Sequence, residues 1–163
     1  MLYFVGVGIG GYTGLAVGSL DVLKRCNVIY VESFTSPLGE QDLQDLASLV
    51  GIKITPLERW AIEDGRQILE QAKIQDVALV TYGDPMIATT HNELRIRAAR
   101  NSINTKILHS ASGICSIISE TGLHAYKFGK TVTIMSEPQS AISVYNTIFD
   151  NLLLGNHTMI LTE

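Results

Sequence analysis

Residues 76–91, DVALVTYGDPMIATTH, carry the reading on which the fold turns. Residues 76–81 are a short apolar run without the polar alternation of a half-wet sheet, the pattern of a strand buried on both faces. The run ends in Gly83-Asp84-Pro85. Gly83 permits a sharp reversal, Pro85 stiffens it, and Asp84 becomes a carboxylate at the carboxyl end of a buried strand. Beyond it, Thr90-x-x-Glu93 has capping-box spacing and opens a helix through LRIRAAR. Its Arg95, Arg97 and Arg100 fall toward the end where the macrodipole favours cations. A doubly buried strand feeding a helix is half of a parallel βαβ unit.

The same alternation runs outward from that stretch. Residues 1–8 form a β-prone apolar run closed by glycines, and Ala16, Leu20 and Leu23 follow at helical spacing. Residues 28–31 and 52–55 read as strands around a helix over 42–50. Ile62, Ile68, Leu69 and Ala72 mark a third helix, and residues 105–108 another strand. The expected class is α/β: an N-terminal domain, residues 1–111, with an open, mostly parallel sheet and helices on both faces. Residues 110–119 are small and uncharged, and residues 122–130 have turn residues at both ends, so a boundary is placed here. Residues 112–163 then begin a second α/β domain of strand (131–135), helix (141–154) and strand (157–162). One βαβ unit cannot cover both faces of a sheet, so this second domain is expected to be incomplete.

Composition narrows the function. With 46% hydrophobic and 17% charged residues among 163, the chain can bury a core and is not intrinsically disordered. A net charge of -4 argues against nucleic acid or an acidic membrane surface and for a small ligand or a protein partner. Cys26 and Cys115 lack CxxC or Cys/His metal spacing and read as small core residues of a reducing compartment. No metal site is expected. The opening MLYFVGVGIGG is not a signal peptide, and no apolar run nears the ~18 residues of a bilayer span. A soluble, cytoplasmic protein is expected.

Three segments could carry chemistry. Gly6-x-Gly8-x-x-Gly11, with Glu32 after the second strand, has dinucleotide-fingerprint spacing, though Gly10 and Gly14 make a chance match easy. It is either a backbone that lets a cofactor approach or a tight turn. The Gly83-Asp84-Pro85 loop is either cleft or ordinary turn chemistry, and His91 beyond it reads as a solvent-facing or simply hydrogen-bonded side chain rather than a catalytic one. His109-Ser110-Ala111-Ser112-Gly113 follows the 105–108 strand, where Ser112 suits a helix N-cap and a ligand contact alike. No G-x-S-x-G elbow makes a serine nucleophilic. All three lie where ligands of open α/β sheets bind.

VGVGIG, YGDPMIATTH, LRIRAAR, ILHSASG, TGLHAYKFGK and GNHTMILTE, in this order and spacing, resemble the diphthine synthases. These are the diphthamide-pathway members of the tetrapyrrole-methylase-like class of S-adenosylmethionine-dependent methyltransferases. Gly-Asp-Pro is shared across the class; ATTH and Leu-His-x-Tyr-Lys-Phe-Gly are specific to that family. The resemblance implies a two-domain α/β homodimer that binds S-adenosylmethionine and methylates the amino-carboxypropyl-modified histidine of translation elongation factor 2. By the same resemblance, cofactor contacts fall on Ile9, Asp84, Ile87, Ser112, Gly113 and Thr162, and Glu32 need not touch a ribose. Replacing Asp84 is expected to weaken cofactor binding and spare folding. An accepting amine with pKa near ~8 requires no dedicated general base, so no catalytic role is assigned. The rival readings are a nicotinamide- or nucleotide-binding domain using Gly6, Gly8, Gly11 and Glu32, and a non-catalytic docking remnant.

Overall fold

The structure, a computed structural model, describes residues 1–34 and 38–162. They fall into two compact units, Met1–Ile114 and Cys115–Glu163. The first is built on five parallel strands: β1 (Leu2–Gly6), β2 (Val28–Glu32), β3 (Ile54–Leu57), β4 (Val77–Thr81) and β5 (Thr105–Leu108). Their order is β3-β2-β4-β1-β5, so β4 lies at the centre with all five residues buried, as its unbroken apolar run predicts.

Period-two alternation divides the core between the two faces of the sheet. Leu2, Phe4, Tyr30, Val77 and Leu79 pack under α3 (Arg59–Asp64), α4 (Arg66–Ile74) and α5 (His91–Arg100). Val5, Ile29, Val31, Ala78 and Val80 pack under α1 (Val17–Leu23) and α2 (Glu40–Val50). Helices thus cover both faces, as expected. Pro56 is accommodated because β3 is an edge strand, where a missing ladder donor costs little.

The third helix departs from expectation. It is two helices, α3 and α4, broken at Gly65, whose φ of 63° is left-handed. The apolar period runs through the break because Ile62, Ile68 and Leu69 enter one core. A Cβ at Gly65 would lie 2.6 Å from Leu94 Cδ1 on α5, so the break and the packing of α5 need the same glycine. The capping box at Thr90 is also absent as a side-chain bond; the Thr90 carbonyl accepts from the Glu93 N–H instead, at 3.1 Å.

In the second unit, β6 (Val132–Ile134) and β7 (Ile160–Thr162) are parallel and joined by α7 (Pro138–Leu153), the expected βαβ unit. Asn151 on α7 pins the entry to β6: Nδ2 donates to the Lys130 carbonyl at 3.0 Å and to Thr158 Oγ1 at 2.7 Å, while Oδ1 accepts from the Lys130 N–H at 3.1 Å. A helix the sequence signalled only as an N-cap at Ser112, α6 (Gly113–Glu120), leads into this unit. No helix among the described residues is long and apolar enough to cross a membrane.

The cysteines separate. Cys26 is core, whereas Cys115 is exposed on α6, correcting the expectation that both are buried. Burial, reinforced by the nearby Asp76 carboxylate, pushes the Cys26 thiol up to about 11. The neutral thiol therefore persists at pH 8, and iodoacetamide is expected to label Cys115 and spare Cys26 by intact mass. Gly65→Ala should cost about 1–3 kcal/mol in a urea titration, since the left-handed backbone and Leu94 both resist a methyl.

Candidate functional site

Register sets the site before any side chain does. β1 and β4 pair Gly6 with Thr81, and β1 and β5 pair Val5 with Leu108, so the loops leaving all three strands emerge side by side. Position 6 has no space for a side chain. A Cβ there would collide with the Gly83 carbonyl oxygen and lie 2.9 Å from Pro85 Cδ and 3.0 Å from Ser110 Cβ. Gly8, at φ 76°, exchanges two hydrogen bonds with Gly83: its N–H donates at 3.1 Å, and its carbonyl accepts at 2.9 Å. The Tyr82 hydroxyl donates to the Ile9 carbonyl.

These contacts revise the fingerprint reading. Gly6 is glycine because the protein's own loops occupy the space, and the glycine stretch continues into a single 3-10 turn (Gly11–Gly14) rather than an α-helix; α1 begins only at Val17. Glu32 is 2% exposed, with Oε2 2.9 Å from His91 Nε2, so the carboxylate the dinucleotide reading needs at a ribose is turned inward. That contact is a close approach rather than an aligned hydrogen bond.

Asp84 ties two loops together. Its side chain is 7% exposed; Oδ1 accepts from the Met86 N–H at 2.9 Å, and Oδ2 lies 2.8 Å from His109 Nδ1 and accepts from the Ser110 N–H at 3.2 Å. Against the expectation that its removal spares the fold stands the loss of an acceptor by two half-buried N–H groups. Beside it, Gly83 has φ 70°, and a Cβ there would sit 3.8 Å from both the Ala111 carbonyl and the Gly113 N–H, in ordinary contact. Gly83 thus faces the start of α6 with room for one methyl-sized group.

The first unit accordingly holds Ile9, Asp84, Ile87, Ser112 and Gly113 on loops from adjacent strands. Ile9 and Ile87 are large apolar side chains left 44% and 45% exposed, Ser112 is buried, and Gly113 has open space where a Cβ would be. Thr162 is carried by the other unit, exposed at the end of β7. Next to the Asp84 loop, a cavity of about 160 Å³ is bordered by Glu32, Phe34, Arg59, Glu63, Thr89 and Thr90. The Arg59 guanidinium stands 5.1 Å over the Phe34 ring.

Sequence reasoning missed two partnerships, Asp84 with His109 and Glu32 with His91. Strand register could have signalled the second, since β2 pairs Val31 with Val80 and so sets Glu32 level with the end of β4, from which the loop runs to His91.

A family model described as tetrapyrrole (corrin/porphyrin) methylases matches residues 1–163. A protein named diphthine synthase from Methanothermobacter thermautotrophicus is 36% identical over 165 residues, covering 100% of this chain and 62% of that protein. A diphthine methyl ester synthase from Saccharomyces cerevisiae is 36% identical over 166 residues, covering 100% of this chain and 55% of that protein. A crystal structure of a diphthine synthase aligns with a TM-score of 0.90 at 32% identity, covering 99% of this chain and 64% of that one. The chain thus spans less than two thirds of the length of each of these relatives.

Asp84→Ala is expected to lower stability by about 1–2 kcal/mol in denaturant titration, because the half-buried amides of Met86 and Ser110 lose their acceptor.

Proposed function

Since the chain belongs to the tetrapyrrole (corrin/porphyrin) methylase family, we propose that it carries the methyl-donor side of an S-adenosylmethionine-dependent methyltransferase of diphthamide biosynthesis. The acceptor implied by the resemblance is the amino-carboxypropyl-modified histidine of translation elongation factor 2; the relatives' names, diphthine synthase and diphthine methyl ester synthase, support the diphthine part of that reading. The observation that carries this reading is the convergence of three strand-end loops at Gly6, Gly83 and Ser110, with Ile9 and Ile87 exposed beside them.

These residues fit an adenosyl sulfonium and the adenosyl thioether left after transfer. Ile9 and Ile87 offer apolar contact to a ring and an alkyl chain, and a large side chain left in water is stabilised by such cover. The backbone at Gly113, with nothing where a side chain would stand, admits close approach, and Ser112 precedes it at the start of α6. Asp84 acts mainly by holding the 109–110 loop against its own, and the contact given to Thr162 rests on the resemblance alone. When bound, S-adenosylmethionine supplies an electrophilic methyl group whose sulfur departs as a neutral thioether. Little charge then needs stabilising, and the protein's contribution is orientation, for which effective molarities of roughly 10⁵ M are available. A rigid pairing of loops serves that purpose better than a mobile one.

The acceptor side is assigned to the cavity bordered by Glu32, Arg59 and Glu63. Both signs of charge border it, which suits a zwitterionic amino-carboxypropyl group, and its volume suits a side chain rather than a folded peptide. A second copy of the chain is proposed as partner on the resemblance.

Thermal-shift measurements with S-adenosylmethionine, S-adenosylhomocysteine and NAD separate the readings. The first two should stabilise the protein, by about 2.7 kcal/mol at a hundredfold excess over Kd, and NAD should not. A shift with NAD alone would overturn the proposal in favour of a nucleotide-binding domain.

A further inference from the structure

The loop after β4 curls around one of its own carbonyl groups. The Pro85 oxygen accepts from Thr89 Oγ1 at 2.8 Å and lies 2.9 Å from His91 Nδ1. A carbonyl only accepts, so Nδ1 is the donor and the ring's orientation is fixed. The other nitrogen, Nε2, faces the Glu32 carboxylate of β2 at 2.9 Å, with both side chains out of solvent. The ring centroid stands 6.1 Å from that of Phe4 on β1. His91 therefore spans from the neighbouring strand β2 to the backbone of the Gly83–Ile87 loop.

Two further observations separate this from ordinary core packing. Ala88, between the loop and α5, has φ 56°, a left-handed conformation that a residue with a Cβ adopts only where its surroundings impose it. And the fully buried imidazole meets polar groups of two separate segments, the Glu32 carboxylate at the end of β2 and the Pro85 carbonyl of the loop, so its value at this place lies in fixing a geometry.

We propose that His91 is a positioning residue: through Nδ1 it sets the Pro85 carbonyl, and with it the Gly83–Ile87 loop, in the conformation that receives the methyl donor, while Glu32 aims its ring. The identity of the ligand rests on the methyltransferase reading; the restraint on the loop does not. The cofactor affinity of the protein should follow the Nδ1 bond and not the stability of the Glu32 contact.

Two near-isosteric substitutions split the two nitrogens. His91→Asn places an amide donor near Nδ1 and abandons Glu32; His91→Gln reaches toward Glu32 and abandons Pro85. Because His91→Asn withdraws the ring from the buried Glu32 carboxylate, it is the less stable of the two, and the double variant Glu32→Gln/His91→Asn makes that side chain neutral should the single variant fail to fold. Hydrogen exchange over residues 83–90 and calorimetric titration with S-adenosylmethionine are measured on the intact protein. We expect His91→Asn, or the double variant, to keep loop protection and affinity within about twofold, and His91→Gln to lose about tenfold in each, the loss of one buried hydrogen bond. Affinity and protection that fall in the order of thermal stability, with His91→Asn worst, would overturn the proposal, as would equal losses in both variants. If wild-type protein binds no S-adenosylmethionine, the methyltransferase reading fails, and the exchange ratio over residues 83–90 still decides the role of His91.

Discussion

At position 6 the chain has room for a hydrogen atom and nothing larger, and the geometry of the rim follows from that. With no Cβ on Gly6, the Gly83 carbonyl, the Pro85 ring and the Ser110 side chain close over the end of β1. That approach lets Gly8 and Gly83 exchange backbone bonds and puts Asp84 within reach of the Ser110 amide. Three loops that a longer side chain would hold apart become one surface. The polar groups inside it are satisfied by each other, as buried polar groups must be.

The motifs that mark the family are in large part braces. Asp84 and His91 spend polar atoms on the backbone of their own loop, and Asp84 also on the neighbouring one at Ser110. In the second unit the Lys-Phe-Gly and Asn-His-Thr segments hold one another: Phe128 and His157 form a parallel bridge, and the Gly129 N–H donates to the His157 carbonyl at 2.9 Å. Gly129 has no space for a side chain because Asn151 fills it. Residues of this kind leave a signature in sequence because each substitution breaks a contact between segments far apart in the chain. The side chains left over for a ligand, such as Ile9 and Ile87, are plainer residues carried inside those same motifs.

What could be read from sequence followed physical range. The strands were legible because doubly buried strands are apolar throughout, as at β4, and α5 because its basic residues fall toward the end where the macrodipole favours them. The break between α3 and α4 was not, since both helices feed one core and the apolar period survives Gly65. Nor was the direction of Glu32 or Asp84, because spacing says which loop a carboxylate occupies and not which neighbour takes its oxygens. Cys115 was misjudged for a related reason: its apolar surroundings, Gly-Ile-Cys-Ser-Ile-Ile, describe a helix with one apolar stripe, and the thiol lies off it.

The strand order carries a kinetic consequence. β1 and β2 are neighbours in the chain but not in the sheet, because β4 lies between them, pairing Val77 with both Leu2 and Val28. β1 therefore has no partner strand when it is made, and β2, which β3 joins on one side, keeps an open edge on the other until the segment ending at Thr81 arrives to join them. Assembly by such distant pairing is slow, and the waiting edges are places where two nascent copies can pair wrongly. Helices α3 and α4, made just before β4, are the natural cover for that interval.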